Sequence, residues 1–378
     1  MTIAIISMIR DAWGGSEELW AVMAEKAIEN NHKVIHLSYK FTPLHPKMQV
    51  LIAKGLITYS RPSFKPSSNT PFLQLAEKAI FFVKKRMNNS FTKVFNHNPD
   101  IVLYNGTCYS IAEEHILLKH LNKAKCRFFI LGHFNNETGL GLTPGLIQTI
   151  SQAYHTSEKV FFIAQRSIQN AKRHLAANIP NALVVRNPVN IDSIEIIPYP
   201  SSEKSQFAMV GNLRIVHKGQ DIALEVLSSN KWKQRNWHLN IYGSGEDEAH
   251  LKRLVDFFRL NDNVTFHGRV NNIREVWKTN HVLLMPSHME GMPLAVVEAM
   301  ICGRPVVVTD VGGNTEWIEE AQQGFIAEAP TVHSFGNAME RLWDEKNNWE
   351  SIGKSAHEKA MKLYDPEPGK TLLNLITA

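Results

Sequence analysis

Short apolar runs recur along this chain, and a helix-length amphipathic stretch follows almost every one. Thr2–Met8 reads as a strand, Ser16–Asn30 as a helix and Lys33–Ser38 as a strand. Ile101–Tyr104, Arg127–Gly132, Val160–Ile163 and Leu183–Arg186 continue the rhythm. Strands that alternate with helices predict parallel sheets covered by helices, so the expected class is α/β.

A second cycle starts near Phe207–Val210, after the turn-rich stretch Asn187–Ser205 with its three prolines. Strands follow at Trp237–Tyr242, Val264–Phe266, His281–Met285 and Pro305–Thr309, with helices such as Glu246–Leu260 and Leu294–Cys302 between them. Val332–Leu363 reads as helical. A chain of 378 residues is too long for one ordinary core. The expectation is therefore two doubly wound, Rossmann-like domains facing each other across a cleft. Residues 1–190 form the first and 191–360 the second, with a tail, 361–378, free to pack back on the first.

At 44% hydrophobic and 20% charged, the composition is that of a soluble globular protein. No run approaches the ~18 apolar residues of a membrane span. The N-terminal MTIAIISMIR reads as a buried strand rather than a signal peptide. Cys108, Cys126 and Cys302 are far apart without C-x-x-C spacing, which fits a reducing cytoplasm and neither a disulfide framework nor a zinc site. The net charge of +5 is uneven: basic residues dominate 1–190 and acidic ones the remainder. A basic first half suits an anionic membrane surface or a phosphorylated acceptor, and equally a solvated face.

Phe41–Asn98 is the least regular segment. Phe41–Pro71, rich in Pro, Ser and Lys, reads as a long loop or short helices. Within Leu73–Phe95, apolar residues recur at helical spacing beside Lys84, Lys85, Arg86 and Lys93. Such a helix can lie peripherally on an anionic membrane or pack on its own domain.

The chemistry concentrates in Ser287–Gly303, SHMEGMPLAVVEAMICG. A strand, His281–Met285, leads into a loop carrying Glu290 and Gly291, with Pro293 where a helix begins and Gly303 where it ends. In an open α/β sheet ligands bind beyond the carboxyl ends of the strands. The amides of Gly291, Met292 and Leu294 can face such a ligand, and Pro293 loses nothing at a first helical position. A helix N-terminus with free amides is an anion site. Glu298, about one turn in, is placed to accept hydrogen bonds from a ribose diol, and Glu290 from sugar hydroxyls. A capping carboxylate and a surface glutamate are the plainer alternative.

Upstream, VGNLRIVHKGQD (Val210–Asp221) follows a strand and places Arg214 and Lys218 where cations meet a diphosphate. YGSGEDEAHL (Tyr242–Leu251) sets Gly243 and Gly245 between a strand and a helix, a weak nucleotide-loop signal on its own. Gly312-Gly313 allows close backbone packing. In the first half, Gly14 and Gly15 leave room for a phosphate or sugar before a helix opening at Ser16. Ser16 and Glu18 can instead cap that helix. His133 follows a strand directly, in LGHFNNETG. No D-x-D triplet, serine elbow, HExxH or P-loop occurs, so a metal-clamped diphosphate is not indicated.

Taken in order, VGNLRIVHKGQD, YGSGED, FHGRV, EGMPLAVVEAM and GRPVVVTDVGG resemble the motifs of the retaining glycosyltransferases of family 4, which have the two-Rossmann GT-B architecture. Glu290 and Glu298 match that family's E-x7-E signature. The resemblance implies transfer of a sugar from a nucleoside diphosphate sugar to a glycan or lipid-linked acceptor, with retained anomeric configuration. It needs no cofactor and no metal, involves no nucleic acid, and suits cell-surface polysaccharide or lipopolysaccharide assembly. It implies a catalytic set of Glu290, Lys218 and His133. Arg214, Gly243, Arg269, Val270, Gly291, Met292, Pro293, Leu294 and Glu298 would bind the donor, with Arg269 and Val270 near the base. Gly14, Gly15 and Ser16 would form the acceptor or phosphate loop. Asn212 stands where the family has an arginine, and Arg214 lies two residues on as a replacement. The rivals are a nucleotide-sugar epimerase of the same architecture and a non-catalytic sugar-nucleotide-binding subunit. A dehydrogenase fits less well, because the first turn reads WGGSEE rather than G-x-G-x-x-G.

Overall fold

The computed structural model describes residues 1–10, 13–62, 89–139 and 141–378. The chain divides into two compact units: Met1–Pro188 with Asp365–Ala378, and Val189–Tyr364.

In the first unit the described residues form a seven-stranded sheet. In chain order the strands are β1 (Thr2–Ser7), β2 (Lys33–Tyr39), β3 (Ile57–Arg61), β4 (Ile101–Gly106), β5 (Arg127–Gly132), β6 (Lys159–Phe162) and β7 (Ala182–Val184). Every pairing is parallel, in the order β3-β2-β1-β4-β5-β6-β7. The order runs one way from β1 through β2 to β3, and the other way from β4. That reversal is the switch point of a doubly wound sheet. Central strands are apolar because helices cover both faces: Ile3, Ile5, Leu103, Phe129 and Ile130 are wholly buried.

The second unit repeats the plan in six strands: β8 (Ser205–Val210), β9 (Trp237–Tyr242), β10 (Val264–Gly268), β11 (Val282–Met285), β12 (Val306–Thr309) and β13 (Gly324–Ala327). The order is β10-β9-β8-β11-β12-β13, again all parallel. Its switch point lies between β8 and β11.

Most expected elements form within two residues of their sequence limits. Two strands were not legible. β3 sits at a sheet edge with alternate residues half-exposed, so it lacks the continuous apolar run that marks the central strands. Of the stretch that reads as a long loop or short helices, Pro46–Ala53 is a short helix and β3 is a strand, and residues 63–71 lie outside the described residues. β13 is only four residues long. The helical stretch Val332–Leu363 divides into Val332–Asp344 and Trp349–Leu363, joined by a short 3₁₀ turn. Of the basic amphipathic stretch, residues 73–88 lie outside the described residues, and Ser90–Phe95 is helical. Among the described residues no helix is long and apolar enough to cross a membrane.

Much of the turn-rich stretch after residue 187 packs into the second unit. Arg304, fully buried, donates to the carbonyls of Ile197, Pro198, Trp277, Asn280, Cys302 and Gly303. Those carbonyls fully occupy the guanidinium, although burial still lowers its pKa to about 10.

Candidate functional site

The residues picked out by sequence fall on the carboxyl edges of the two sheets. In the second unit they converge on the switch point. β8 ends at Val210, and the chain turns through Gly211 into a short helix, Ile215–Lys218. β11 ends at Met285 and leads into the loop bearing Glu290. The two segments are tied together, since the carbonyl of His217 accepts the amides of His288 at 2.9 Å and Met289 at 3.3 Å. Lys218 Nζ then reaches Glu290 Oε1 at 2.7 Å, and Ser287 Oγ donates to the same oxygen at 2.7 Å. The Glu290 side chain is 6% exposed and that of Lys218 26%. A small recess beside Lys218 is lined by Gly211, Leu213, Tyr242 and Met285.

The helix after this loop runs Leu294–Ile301. Pro293 therefore stands one residue before the helix rather than at its first position, and its carbonyl accepts Val296 N and Val297 N. The amides of Leu294 and Ala295, ahead of that first bond, have no intrahelical acceptor. Met292 is buried, and the carbonyl of Gly291 accepts the amide of Gly313 at 2.9 Å. Gly312 has φ +52, and a Cβ there would lie 1.9 Å from the carbonyl oxygen of Glu290. Only glycine lets this backbone lie against the glutamate loop.

Glu298 is neither exposed nor a surface residue. It is buried, with the backbone N–H of Asn190 donating to Oε1 at 3.3 Å, and burial raises its pKa to about 8. The plainer reading of a solvated helix glutamate is thereby removed.

Gly243 flanks the same edge: its amide donates to Gly268 O, and its φ of +137 brings it so close to Gly211 that a Cβ would meet that carbonyl oxygen at 1.8 Å. Arg269 Nε donates to Ser244 Oγ at 2.7 Å, and Val270 is partly exposed beside it. Arg214 is half-buried and pairs with Glu246 at 2.7 Å. Asn212 turns toward the YGSGED loop, where its Oδ1 would crowd any side chain at Gly245.

The first unit holds the rest. Gly14 is extended (φ −165) and precedes the helix Gly15–Glu29, whose start has no side-chain cap. Ser16 therefore does not cap this helix, and Glu18 pairs instead with Lys47 and Trp13. His133, at the end of β5, is buried. Its Nε2 lies 2.6 Å from Asn105 Oδ1, while the buried Nδ1 has no partner among the described residues. Burial lowers its pKa to about 3, so the ring is neutral.

Sequence reasoning missed what surrounds His133. Asn105 Nδ2 donates to Ser7 Oγ at 3.1 Å and lies 3.4 Å from Glu17 Oε1. Ser7 Oγ donates to Glu17 Oε1 at 2.8 Å, and the indole N–H of Trp20 donates to Oε2. Ser7 and Asn105 are register partners on β1 and β4, at the switch point itself. The available signal was a polar residue ending each apolar strand: Ser7, Asn105 and, one residue beyond β5, His133. Among the described residues no group of three His, Cys, Asp or Glu could hold a metal ion.

Comparison with known proteins places this geometry. An uncharacterized glycosyltransferase of Haemophilus influenzae is 32% identical over 141 residues, 37% of this chain and 40% of that one. The UDP-Gal:alpha-D-GlcNAc-diphosphoundecaprenol alpha-1,3-galactosyltransferase of Escherichia coli is 35% identical over 107 residues, 28% of each chain. The chain thus matches less than half the length of these curated relatives. Among solved structures, Anabaena HepE in complex with UDP superposes with a TM-score of 0.77 over 100% of both chains at 15% identity. The lipopolysaccharide outer core galactosyltransferase WaaB gives 0.71 at 19% identity, over 100% of this chain and 99% of that one. The fold is that of the GT-B glycosyltransferases, and residues 194–359, which hold the Lys218–Glu290 cluster, match the family Glycosyl transferases group 1.

Proposed function

We propose that this protein transfers a sugar from a nucleoside diphosphate sugar to a hydroxyl of a glycan or lipid-linked acceptor, with retention of configuration, as a family 4 glycosyltransferase. The observation that carries the reading is the Lys218–Glu290–Ser287 cluster at the switch point of the second sheet, beside a helix N-terminus.

An ammonium has three N–H donors, and Glu290 takes one. Two remain for diphosphate oxygens, on which negative charge grows as the glycosidic bond breaks. Both bonds to Glu290 fall on Oε1, so Oε2 is left to accept from a hydroxyl of the donor sugar. Glu298, protonated or ionised near neutral pH, is suited to the ribose diol. The acceptor hydroxyl attacks the anomeric carbon on the face the diphosphate leaves. The C–O bond to phosphate breaks, and the acceptor proton passes to the departing phosphate oxygen. No protein base is required. Lys218, the helix amides and Arg214 meet the diphosphate charge without a divalent ion.

The relatives support the substrate classes. One structural neighbour was solved with UDP, and the E. coli relative is named for a UDP-sugar donor and a diphosphoundecaprenol-linked acceptor. Asn212, in place of the usual arginine, favours a second reading in which the nucleotide is bound without transfer.

The test is a thermal-shift screen against UDP, GDP, ADP and their sugars, followed by transfer assays with chelator present. A specific donor at ~100 times its Kd stabilises the fold by about 2.7 kcal/mol. Transfer that continues in EDTA and gives a product of the donor's own anomeric configuration supports the proposal. An inverted product overturns retention. Donor turnover to an epimer without acceptor supports the epimerase instead, and binding with no transfer across acceptors supports the second reading.

A further inference from the structure

The polar cluster at the first unit's switch point makes a statement about the proton on His133. Ser7, Glu17, Asn105 and His133 are each at most 5% exposed. Water therefore does not set their donor and acceptor directions, and the protein groups must. Above its pKa of about 7, to which burial raises it, Glu17 is ionised and only accepts, and it receives Ser7 O–H and the Trp20 indole N–H. The Asn105 amide must then turn its NH₂ toward Ser7 and Glu17, because its oxygen there would face acceptors alone. That leaves Asn105 Oδ1 against His133 Nε2, at 2.6 Å. An oxygen acceptor at that position requires the ring proton on Nε2. In a neutral imidazole Nδ1 is then a bare lone pair, which matches its lack of a partner. A buried acceptor without a donor is destabilising, and a ligand hydroxyl is a group that can complete it.

We propose that Asn105, oriented by Ser7 and Glu17, is a positioning residue that fixes His133 as the Nε2–H tautomer, so that Nδ1 accepts a hydrogen bond from a hydroxyl of the substrate. The role of the hydroxyl rests on the glycosyltransferase reading; the tautomer does not.

The experiment is long-range ¹H–¹⁵N correlation of histidine rings in the intact, ligand-free protein, with His133→Gln to assign the signal among 17 histidines. Wild-type protein should show His133 neutral and protonated at Nε2. Asn105→Ala should mix the tautomers and lower kcat at least tenfold, with UDP binding unchanged because its proposed contacts lie in the second unit. If Asn105→Ala does not fold, Asn105→Asp, which keeps the volume and an acceptor toward Nε2, should hold the Nε2 proton. A wild-type Nδ1–H tautomer overturns the proposal. So does an Asn105→Ala protein with unchanged tautomer and rate. If the tautomer is as expected but no donor is turned over by wild type, the functional reading fails and the positioning claim stands.

Discussion

The two units have the same strand order around their switch points, yet they fill those points differently. In the second unit, Lys218 and Glu290 form an ion pair in which the lysine keeps a quarter of its side-chain surface open. Lys218 ends the short helix that follows β8, and Glu290 sits on the loop that follows β11. In the first unit, Ser7, Asn105 and His133 sit at strand ends and Glu17 on a helix, all buried, joined by short hydrogen bonds. A partly exposed charge can exchange one partner for a ligand. A fully buried network cannot do so cheaply, because each displaced bond leaves an unpaired group out of reach of water. The first arrangement suits recognition of a charged donor, and the second suits holding one ring in one state.

The largest effect should come from the open cluster. Lys218→Ala or Glu290→Ala is expected to lower kcat/KM by about a thousandfold, which is ~4 kcal/mol of transition-state stabilisation, with far-UV circular dichroism unchanged. Asn105→Ala, acting through another residue, should cost far less. Equal losses in steady-state assays would erase the distinction between an electrostatic site and a positioning one. Near-normal turnover in both cluster variants would remove the site from the second unit altogether.

The same contrast explains what could be read in advance. The Lys218–Glu290 site was legible because the residues of each half are contiguous: the glutamate, its glycine and the helix-starting proline lie within four positions, Glu290–Pro293. Both sheets were legible because central strands buried on both faces leave uninterrupted apolar runs such as Ile3–Ile6 and Val306–Val308. The first unit's network was not, since its members are separated by up to 126 positions, from Ser7 to His133, and only the fold brings them together. The pairing of Lys218 with Glu290 was also hidden, as each residue taken alone had its own ligand to meet. β3 escaped notice for lack of two-sided burial, and β13 because it opens on a glycine and carries only two large apolar side chains, Phe325 and Ile326.

Each unit also holds near its edge a buried glutamate whose pKa burial raises, which allows a finer comparison by pH. Burial raises Glu298 to about 8, against Asn190 alone, and Glu17 to about 7, where Ser7 and Trp20 pull it back. A folded-state pKa above the unfolded value means that the native protein binds the extra proton. The penalty is absent below the ordinary glutamate value of 4.5, grows as pH rises, and is complete above the folded pKa. Stability should therefore fall between pH 4.5 and about 8 on account of Glu298. Glu298→Gln should melt several degrees above wild type at pH 8 and level with it at pH 4.5, as read by calorimetry. Glu17→Gln should gain less and reach its full gain by about pH 7. A Glu298→Gln advantage that is the same at both pH values would mean the carboxyl is not carrying a charge that burial penalises.

The smallest effect on stability is expected at Gly14, and it separates the two edges most sharply. Gly243 is required by the fold, because a side chain there strikes the backbone of Gly211. Among the described residues Gly14 has no such neighbour: its backbone is extended, and a Cβ there meets nothing within 4 Å. Gly14→Ala should change stability by no more than ~0.5 kcal/mol in denaturant titrations. The open space beside it is then available to a ligand, so the same substitution should raise the KM for acceptor while leaving UDP affinity untouched. A wild-type acceptor KM in Gly14→Ala would mean that the glycine serves neither the fold nor a substrate, and the acceptor would have to be sought elsewhere on the first unit.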